Sequence, residues 1–217
     1  KLKVLLGLKI IKILRRSKFL LFLFEKNTVM LVHLGMTGKF FFIDEKAIKH
    51  KTSFYYNIDE SKENKHNRLI LLLSNNSKLI YNDVRKFGFI KILDKRDLKY
   101  NFHLKNLGPE PLGKSFDFKY FKNYLVNRNR TIKDILMDQK FVSGLGNIYV
   151  NEVLFLSKII PTKKTYLVND EEIHKIIKNT KKILKKAISL GGSSLRDFSS
   201  SDGKKRGVST IFLCLWE

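Results

Sequence analysis

The sequence predicts an α+β chain in which a β-sandwich or barrel-like domain, incomplete at its start, is followed by a helical domain. Three observations carry that expectation. The first half is a series of short apolar or alternating runs separated by turn residues. Two prolines flanked by glycines then interrupt it at Gly108-Pro109-Glu110-Pro111-Leu112-Gly113, and beyond them the apolar spacing becomes helical.

Strands are expected at residues 3–14, 18–25, 29–34, 39–43, 69–73, 78–81 and 87–93, all rich in Ile, Leu, Val or Phe. Glu25-Lys26-Asn27 and Ser74-Asn75-Asn76-Ser77 supply turns between them. The polar stretch 44–65 reads as a long surface loop. Helices are expected at 116–126, 132–139, 147–157 and 171–190. The third follows the turn Gly144-Leu145-Gly146, and the fourth has Asn169 as N-cap, Glu172 three residues on, and Gly191-Gly192 as its stop. The expected organisation is a partial β domain over 1–105, a linker over 106–115, a helical domain over 116–204 and a divergent tail over 205–217, with a basic cleft between the two domains.

The 217 residues include 43 Lys and Arg against 20 Asp and Glu, a formal charge of +23. An excess of that size favours a polyanion, either nucleic acid or an anionic membrane surface, although a Lys, Ile, Asn and Phe-rich composition of A/T-rich origin accounts for part of it. At 43% hydrophobic, with 17 Phe and 8 Tyr, the chain can bury one or two cores, which excludes a disordered basic tail. No apolar run reaches the roughly 18 residues of a bilayer span. The one basic amphipathic helix places Ile173, Ile176, Ile177, Ile183, Leu184, Ala187 and Ile188 at the spacing of a core-facing stripe. No membrane partner is therefore expected. A single cysteine, Cys214, excludes a disulfide framework and a Cys-rich zinc site built from this chain, and points to a reducing cytoplasm.

The sharpest local feature is Asp138-Gln139-Lys140-Phe141-Val142-Ser143-Gly144-Leu145-Gly146-Asn147-Ile148-Tyr149. A helix, a Gly-x-Gly turn and a second helix headed by Asn147 would gather free N–H groups and a side-chain amide around a phosphate oxygen. Taken alone, the segment reads slightly better as an ordinary αα-hairpin whose glycines only permit the turn.

With Ile132-Lys133-Asp134 before it and Val150-Asn151-Glu152 after it, this segment resembles the helix-two-turn-helix (H2TH) of the formamidopyrimidine-DNA glycosylase and endonuclease VIII family. Further matches follow in family order. They are Arg15-Arg16-Ser17-Lys18-Phe19-Leu20, His33-Leu34-Gly35-Met36-Thr37-Gly38, Lys65-His66-Asn67-Arg68, Asp83-Val84-Arg85-Lys86-Phe87-Gly88, residues 106–112, and Gly191-Gly192-Ser193-Ser194-Leu195-Arg196-Asp197-Phe198 with Asp202-Gly203-Lys204. Met-Thr-Gly, Arg-x-Phe-Gly and Gly-Leu-Gly-Asn fit the formamidopyrimidine branch.

The resemblance implies a base-excision-repair DNA glycosylase with AP lyase activity, acting on oxidised purines such as 8-oxoguanine and formamidopyrimidines in damaged double-stranded DNA. The bacterial cytoplasm at the nucleoid is the expected location and a monomer the expected state. Met36, Arg85 and Phe87 match the family's plug for the gap left by an extruded base, although Met36 and Phe87 by themselves read as core packing. Lys18 matches a lysine that contacts the phosphate beside the lesion and assists proton transfer; by itself it reads as a solvated lysine. His66, Arg68, Arg128, Arg130, Lys133, Asn147 and Tyr149 would hold backbone phosphates. Ser193, Ser194, Asp202, Gly203 and Lys204 fall in the family's loop over the extruded base.

Two departures shape the expectations. The family nucleophile is an N-terminal proline amine that forms a Schiff base at C1′, with the next residue, a glutamate, as acid; this sequence starts at Lys1 inside an expected strand, so neither can be assigned. The family also binds one structural zinc through a C-terminal four-cysteine finger, whereas only Cys214 is present, so no cofactor is expected in this chain. With suitable codons, residues 208–216 read one base later give an aromatic-Gln run ending in Val-Tyr-Gly like the family's approach to that finger. A frameshift near Arg206 is thus an expectation that the coding DNA decides. As it stands the chain is expected to bind with little or no lyase activity, to be trapped poorly by borohydride, and to be marginally stable. The alternatives are a non-catalytic damaged-DNA-binding remnant and a ribosomal RNA-binding protein, which can also carry an H2TH element.

Overall fold

The computed structural model describes residues 2–44, the backbone of 49–51, and residues 64–190. Two compact units divide between Asp97 and Leu98.

The described residues of the first unit form eight strands: β1 (Ile10–Arg16), β2 (Phe19–Phe24), β3 (Thr28–His33), β4 (Lys39–Ile43), β5 (Lys49–Lys51), β6 (Asn67–Leu72), β7 (Lys78–Asn82) and β8 (Phe89–Asp94). They form two four-stranded antiparallel sheets, ordered β1-β2-β3-β8 and β5-β4-β7-β6. Alternation decides what each face buries. Phe22, Phe24, Met30 and Val32 from the first sheet meet Phe40, Leu79 and Tyr81 from the second in one core. The β2–β3 turn puts Lys26 and Asn27 at φ of 54° and 55°, as the expected turn there requires.

Three expectations are corrected. Residues 3–14 are not one strand: Leu2–Leu5 is a 3₁₀ turn that tucks Leu5 into the core, and Gly7, at φ 72°, redirects the chain before β1 begins. The stretch read as a loop over 44–65 contributes β5, which pairs with β4. Phe87 precedes β8 instead of starting it, for reasons that belong to the site below.

The second unit carries α1 (Phe118–Leu125), α2 (Ile132–Met137), α3 (Asn147–Ser157) and α4 (Asp170–Ser189). Side-chain caps set three of the four starts: Asp117 accepts from Tyr120 N–H, Thr131 from Asp134 N–H, and Asn169 with Glu172 forms a full capping box. An aromatic knot of Phe116, Phe121 and Phe141 anchors the core, with Phe121 and Phe141 edge-on at 4.8 Å. The α4 stripe buries Ile173, Ile176, Ile183 and Ala187, but Ile188 is exposed in the last turn. No helix among the described residues is long and apolar enough to cross a membrane.

Candidate nucleic-acid interface

The strand register collects most of the singled-out residues of the first unit at one end of the sandwich. In the first sheet Phe19 pairs with His33 and His33 with Phe89; in the second, Asn67 pairs with Asn82 and Asn82 with Lys39. Those two rows end their strands. The chain leaves them through the β1–β2 turn carrying Lys18, the β3–β4 loop carrying Met36, the start of β6 carrying His66 and Arg68, and the β7–β8 loop carrying Arg85 and Phe87. The β3–β4 and β7–β8 loops both cross between the same pairs of strands, so they must run side by side.

Their tips touch. Arg85 Nη1 lies 3.3 Å from the Met36 sulfur, and the Arg85 guanidinium sits over the Phe87 ring at 4.5 Å. Met36 and Phe87 remain 60% and 55% exposed, so the reading of either as core packing is ruled out. An apolar pair bracing a cation projects from the end of the sheets, where burial gives it no folding role.

Beneath the tip lies a polar network centred on Asp83, which is only 1% exposed. Its Oδ1 accepts from Thr37 Oγ1 at 2.6 Å, and its Oδ2 accepts from Gly88 N–H at 2.9 Å and from Tyr81 O–H at 3.2 Å. Thr37 Oγ1 in turn accepts from Arg85 N–H at 3.0 Å, and the Asp83 carbonyl accepts from Arg68 Nε–H at 3.0 Å. Asp83 thus ties the Met36 loop to the Arg85–Phe87 loop through its carboxylate, and holds Arg68 through its backbone carbonyl. Burial alone would raise its pKa, but the bonds from Thr37, Gly88, Tyr81 and the Lys86 backbone outweigh burial and hold it below the ordinary 3.8. Burial first, and the Asp83 charge second, push the Tyr81 hydroxyl up, so it stays a donor. This network is what keeps Phe87 out of β8. Gly88 packs where a Cβ would strike the Tyr81 hydroxyl and His33 carbonyl.

Lys18 follows Ser17, which takes φ 55° to turn the hairpin. Desolvation lowers the Lys18 pKa from the ordinary 10.5, although the residue as a whole is exposed.

The second unit holds the H2TH-like corner. Gln139 organises it: its amide donates to Leu145 C=O at 2.8 Å, and its Oε1 accepts from Gly144 N–H at 2.8 Å, which closes the turn. Gly144, at φ 91°, allows the chain to reverse. Helix α3 starts on Gly146 with no side-chain cap, and its first internal bond runs from Val150 N–H to Gly146 C=O. The N–H groups of Asn147, Ile148 and Tyr149 precede that bond, so helix geometry leaves them without an intrahelical acceptor. Asn147 is exposed, and Tyr149 packs partly against the core. Arg128 stacks on Tyr124 at 4.0 Å and donates to its carbonyl, leaving the guanidinium exposed. Arg130 is differently placed: it bonds Asp138 Oδ2 at 2.8 Å and Asp134 C=O at 3.1 Å beside an open hollow of about 590 Å³. A phosphate there would have to displace Asp138. Lys133 lies half-buried on α2.

Ser193, Ser194, Asp202, Gly203, Lys204 and the tail lie outside the described residues. Among the described residues no group of His, Cys, Asp and Glu could hold a metal ion, and one cysteine cannot furnish a four-thiolate zinc site.

Residues 2–90 match the formamidopyrimidine-DNA glycosylase N-terminal domain, and residues 107–199 match the formamidopyrimidine-DNA glycosylase H2TH domain. The formamidopyrimidine-DNA glycosylase of Streptococcus agalactiae is 39% identical over 198 residues, covering 91% of this chain and 67% of its own. That of Roseobacter denitrificans is 34% identical over 92% of this chain and 69% of its own. The chain belongs to the formamidopyrimidine-DNA glycosylase family. A Lactococcus lactis member bound to DNA containing an abasic site superposes with a TM-score of 0.79 at 36% identity, over 96% of this chain and 72% of that one. A Rickettsia bellii member is 42% identical over 195 residues, and the chain spans 66% of its length.

What sequence reasoning missed is the support of the glycosylase-type tip: Thr37, Tyr81 and Asp83. Thr37 and Asp83 stand inside motifs whose basic and apolar members carry the resemblance. The available signal was an acid inside an Asp-x-Arg-x-Phe-Gly loop of a chain with more than twice as many bases as acids.

Proposed function

We propose that this chain serves base excision repair of oxidised purines such as 8-oxoguanine and formamidopyrimidines in duplex DNA, as the DNA-gripping part of a glycosylase and AP lyase whose amine nucleophile is not among its assigned residues. Its described residues grip the duplex and fill the gap that the lesion leaves. The observation that carries this reading is the exposed contact of Met36, Arg85 and Phe87, braced from below by Asp83. Extruding a base costs a few kcal/mol of stacking, and an inserted apolar wedge with a guanidinium facing the orphaned base offsets that cost. Related proteins have been crystallised with DNA containing an abasic site or Fapy-dG, which agrees with this substrate class.

In this reading His66, Arg68, Arg128, Lys133, Asn147 and Tyr149 hold phosphates and fix the position of the duplex without reading its sequence. Arg130 joins them only by exchanging Asp138 for a phosphate. Lys18, at the wedge end of the sandwich and with its charged form disfavoured, is suited to pass a proton near the sugar while contacting the adjacent phosphate. Ser193, Ser194, Asp202, Gly203 and Lys204 would cover the extruded base. The family's zinc finds no ligand set among these residues, and no step depends on it. The work is done on chromosomal DNA, in the cytoplasm at the nucleoid.

The test is fluorescence anisotropy with a duplex carrying a tetrahydrofuran abasic analogue opposite cytosine and with its intact counterpart. The expected result is a preference of about ten-fold or more for the abasic duplex, since burying one wedge side chain is worth roughly 1.5–3 kcal/mol. Equal affinity for both duplexes, or preference for RNA over either, sinks the assignment.

A further inference from the structure

We propose that Met36 is a site of reversible oxidation, at which a hydroperoxide transfers one oxygen atom to the exposed thioether and disarms the wedge. The inference rests on the reading of Met36 as part of that wedge.

The three methionines stand in a clear order of access. Met30 is fully buried between the sheets, Met137 is 36% exposed at the end of α2, and Met36 is 60% exposed at the tip. A small oxidant in solvent therefore meets the Met36 sulfur first. In the reaction a sulfur lone pair attacks one peroxide oxygen, the S–O bond forms as the O–O bond breaks, and sulfur gives up two electrons. The proton on the transferred oxygen passes to the departing hydroxide. The products are methionine sulfoxide and water, or an alcohol from an organic hydroperoxide.

Arg85 makes this oxidation consequential. Its Nη1 already lies 3.3 Å from the sulfur, a weak acceptor. A sulfoxide oxygen in the same place is a much stronger one, and it gains a charge-assisted hydrogen bond from the guanidinium. That bond draws Arg85 off the Phe87 ring, over which it sits at 4.5 Å, and removes it from the space an orphaned base would occupy. The wedge itself gains a dipole that must lose its water to enter a base stack. Oxidation thus strikes the apolar tip and leaves the phosphate-holding residues intact: general DNA affinity persists while lesion retention falls. A wedge already inserted in DNA is shielded, so only unengaged molecules are affected. Methionine sulfoxide reductases reverse the change.

The test treats the chain with hydrogen peroxide, with and without abasic-site duplex, follows each methionine by peptide mass spectrometry, and measures the abasic-over-intact preference. We expect Met36 to oxidise before Met137, Met30 to resist, and bound duplex to protect Met36. The preference should fall about ten-fold on oxidation and return after treatment with the reductase, because a wedge contribution of ~1.4 kcal/mol is one decade in affinity. Met36→Leu, compared with its own untreated state, should lose nothing to peroxide, whereas Met137→Leu should stay as sensitive as the parent. A Met36 sulfoxide with unchanged preference overturns the proposal, as does a peroxide effect that persists in Met36→Leu. An untreated chain with no abasic preference instead removes the wedge reading, and the proposal with it.

Discussion

Asp83 makes a buried carboxylate the fulcrum of an exposed recognition tip. Its two oxygens satisfy three donors, and Asp83→Ala would strand Thr37, Tyr81 and the Gly88 N–H inside the sandwich end. The expected cost is about 2–3 kcal/mol in urea unfolding, with loss of abasic preference beyond what stability explains. Asp83→Asn is the sharper probe, because its amide group turns one acceptor into a donor facing Tyr81 and Gly88. The same carboxylate sets a pH dependence. Its folded pKa lies below the ordinary 3.8, so its contribution is complete above that value and is lost as pH falls through it toward the folded pKa. Unfolding free energy should therefore drop more steeply below about pH 4 in the parent than in Asp83→Asn; parallel curves would remove Asp83 from the account.

At the scale of elements, the strands were legible because alternating apolar residues and turn residues are local signals, and α3 was legible to the residue. The convergence of Met36 and Phe87 on Arg85 was implied by the resemblance but by no local signal. It depends on the pairing of His33 with Phe89 and of Lys39 with Asn82, and register across two sheets is a long-range property that no local window contains. The same limit explains β5, three residues that become a strand only against β4. Arg130 shows the converse: its charge was legible, but its engagement with Asp138 was not. Arg130→Ala should consequently cost stability, by up to about 1 kcal/mol for a pair this exposed, more than it costs DNA affinity. Arg128→Ala should weaken binding equally to damaged and intact duplex and reduce the salt slope by about one. Asn147→Ala should also weaken both equally, with the slope unchanged, since an amide releases no counterion.

For the molecule as a whole, the proposed function assigns general affinity for DNA and a steep salt dependence to the +23 charge, and discrimination to the tip. These contributions should separate: raising salt should weaken both duplexes together and leave their ratio nearly constant. One surface works against solubility. Strand β1 stands at the end of its sheet among the described strands, with Ile11 and Ile13 exposed, and Ile13→Lys should reduce concentration-dependent association in light scattering. In the proposed function, Met36, Arg85 and Phe87 enter the base stack where a nucleotide has been removed. The most direct measurement places 2-aminopurine beside a tetrahydrofuran site and follows its fluorescence as the chain binds. Insertion predicts a change on binding that disappears in the triple alanine variant under conditions where that variant is still bound. An identical change for parent and variant, both saturated with DNA, would contradict it.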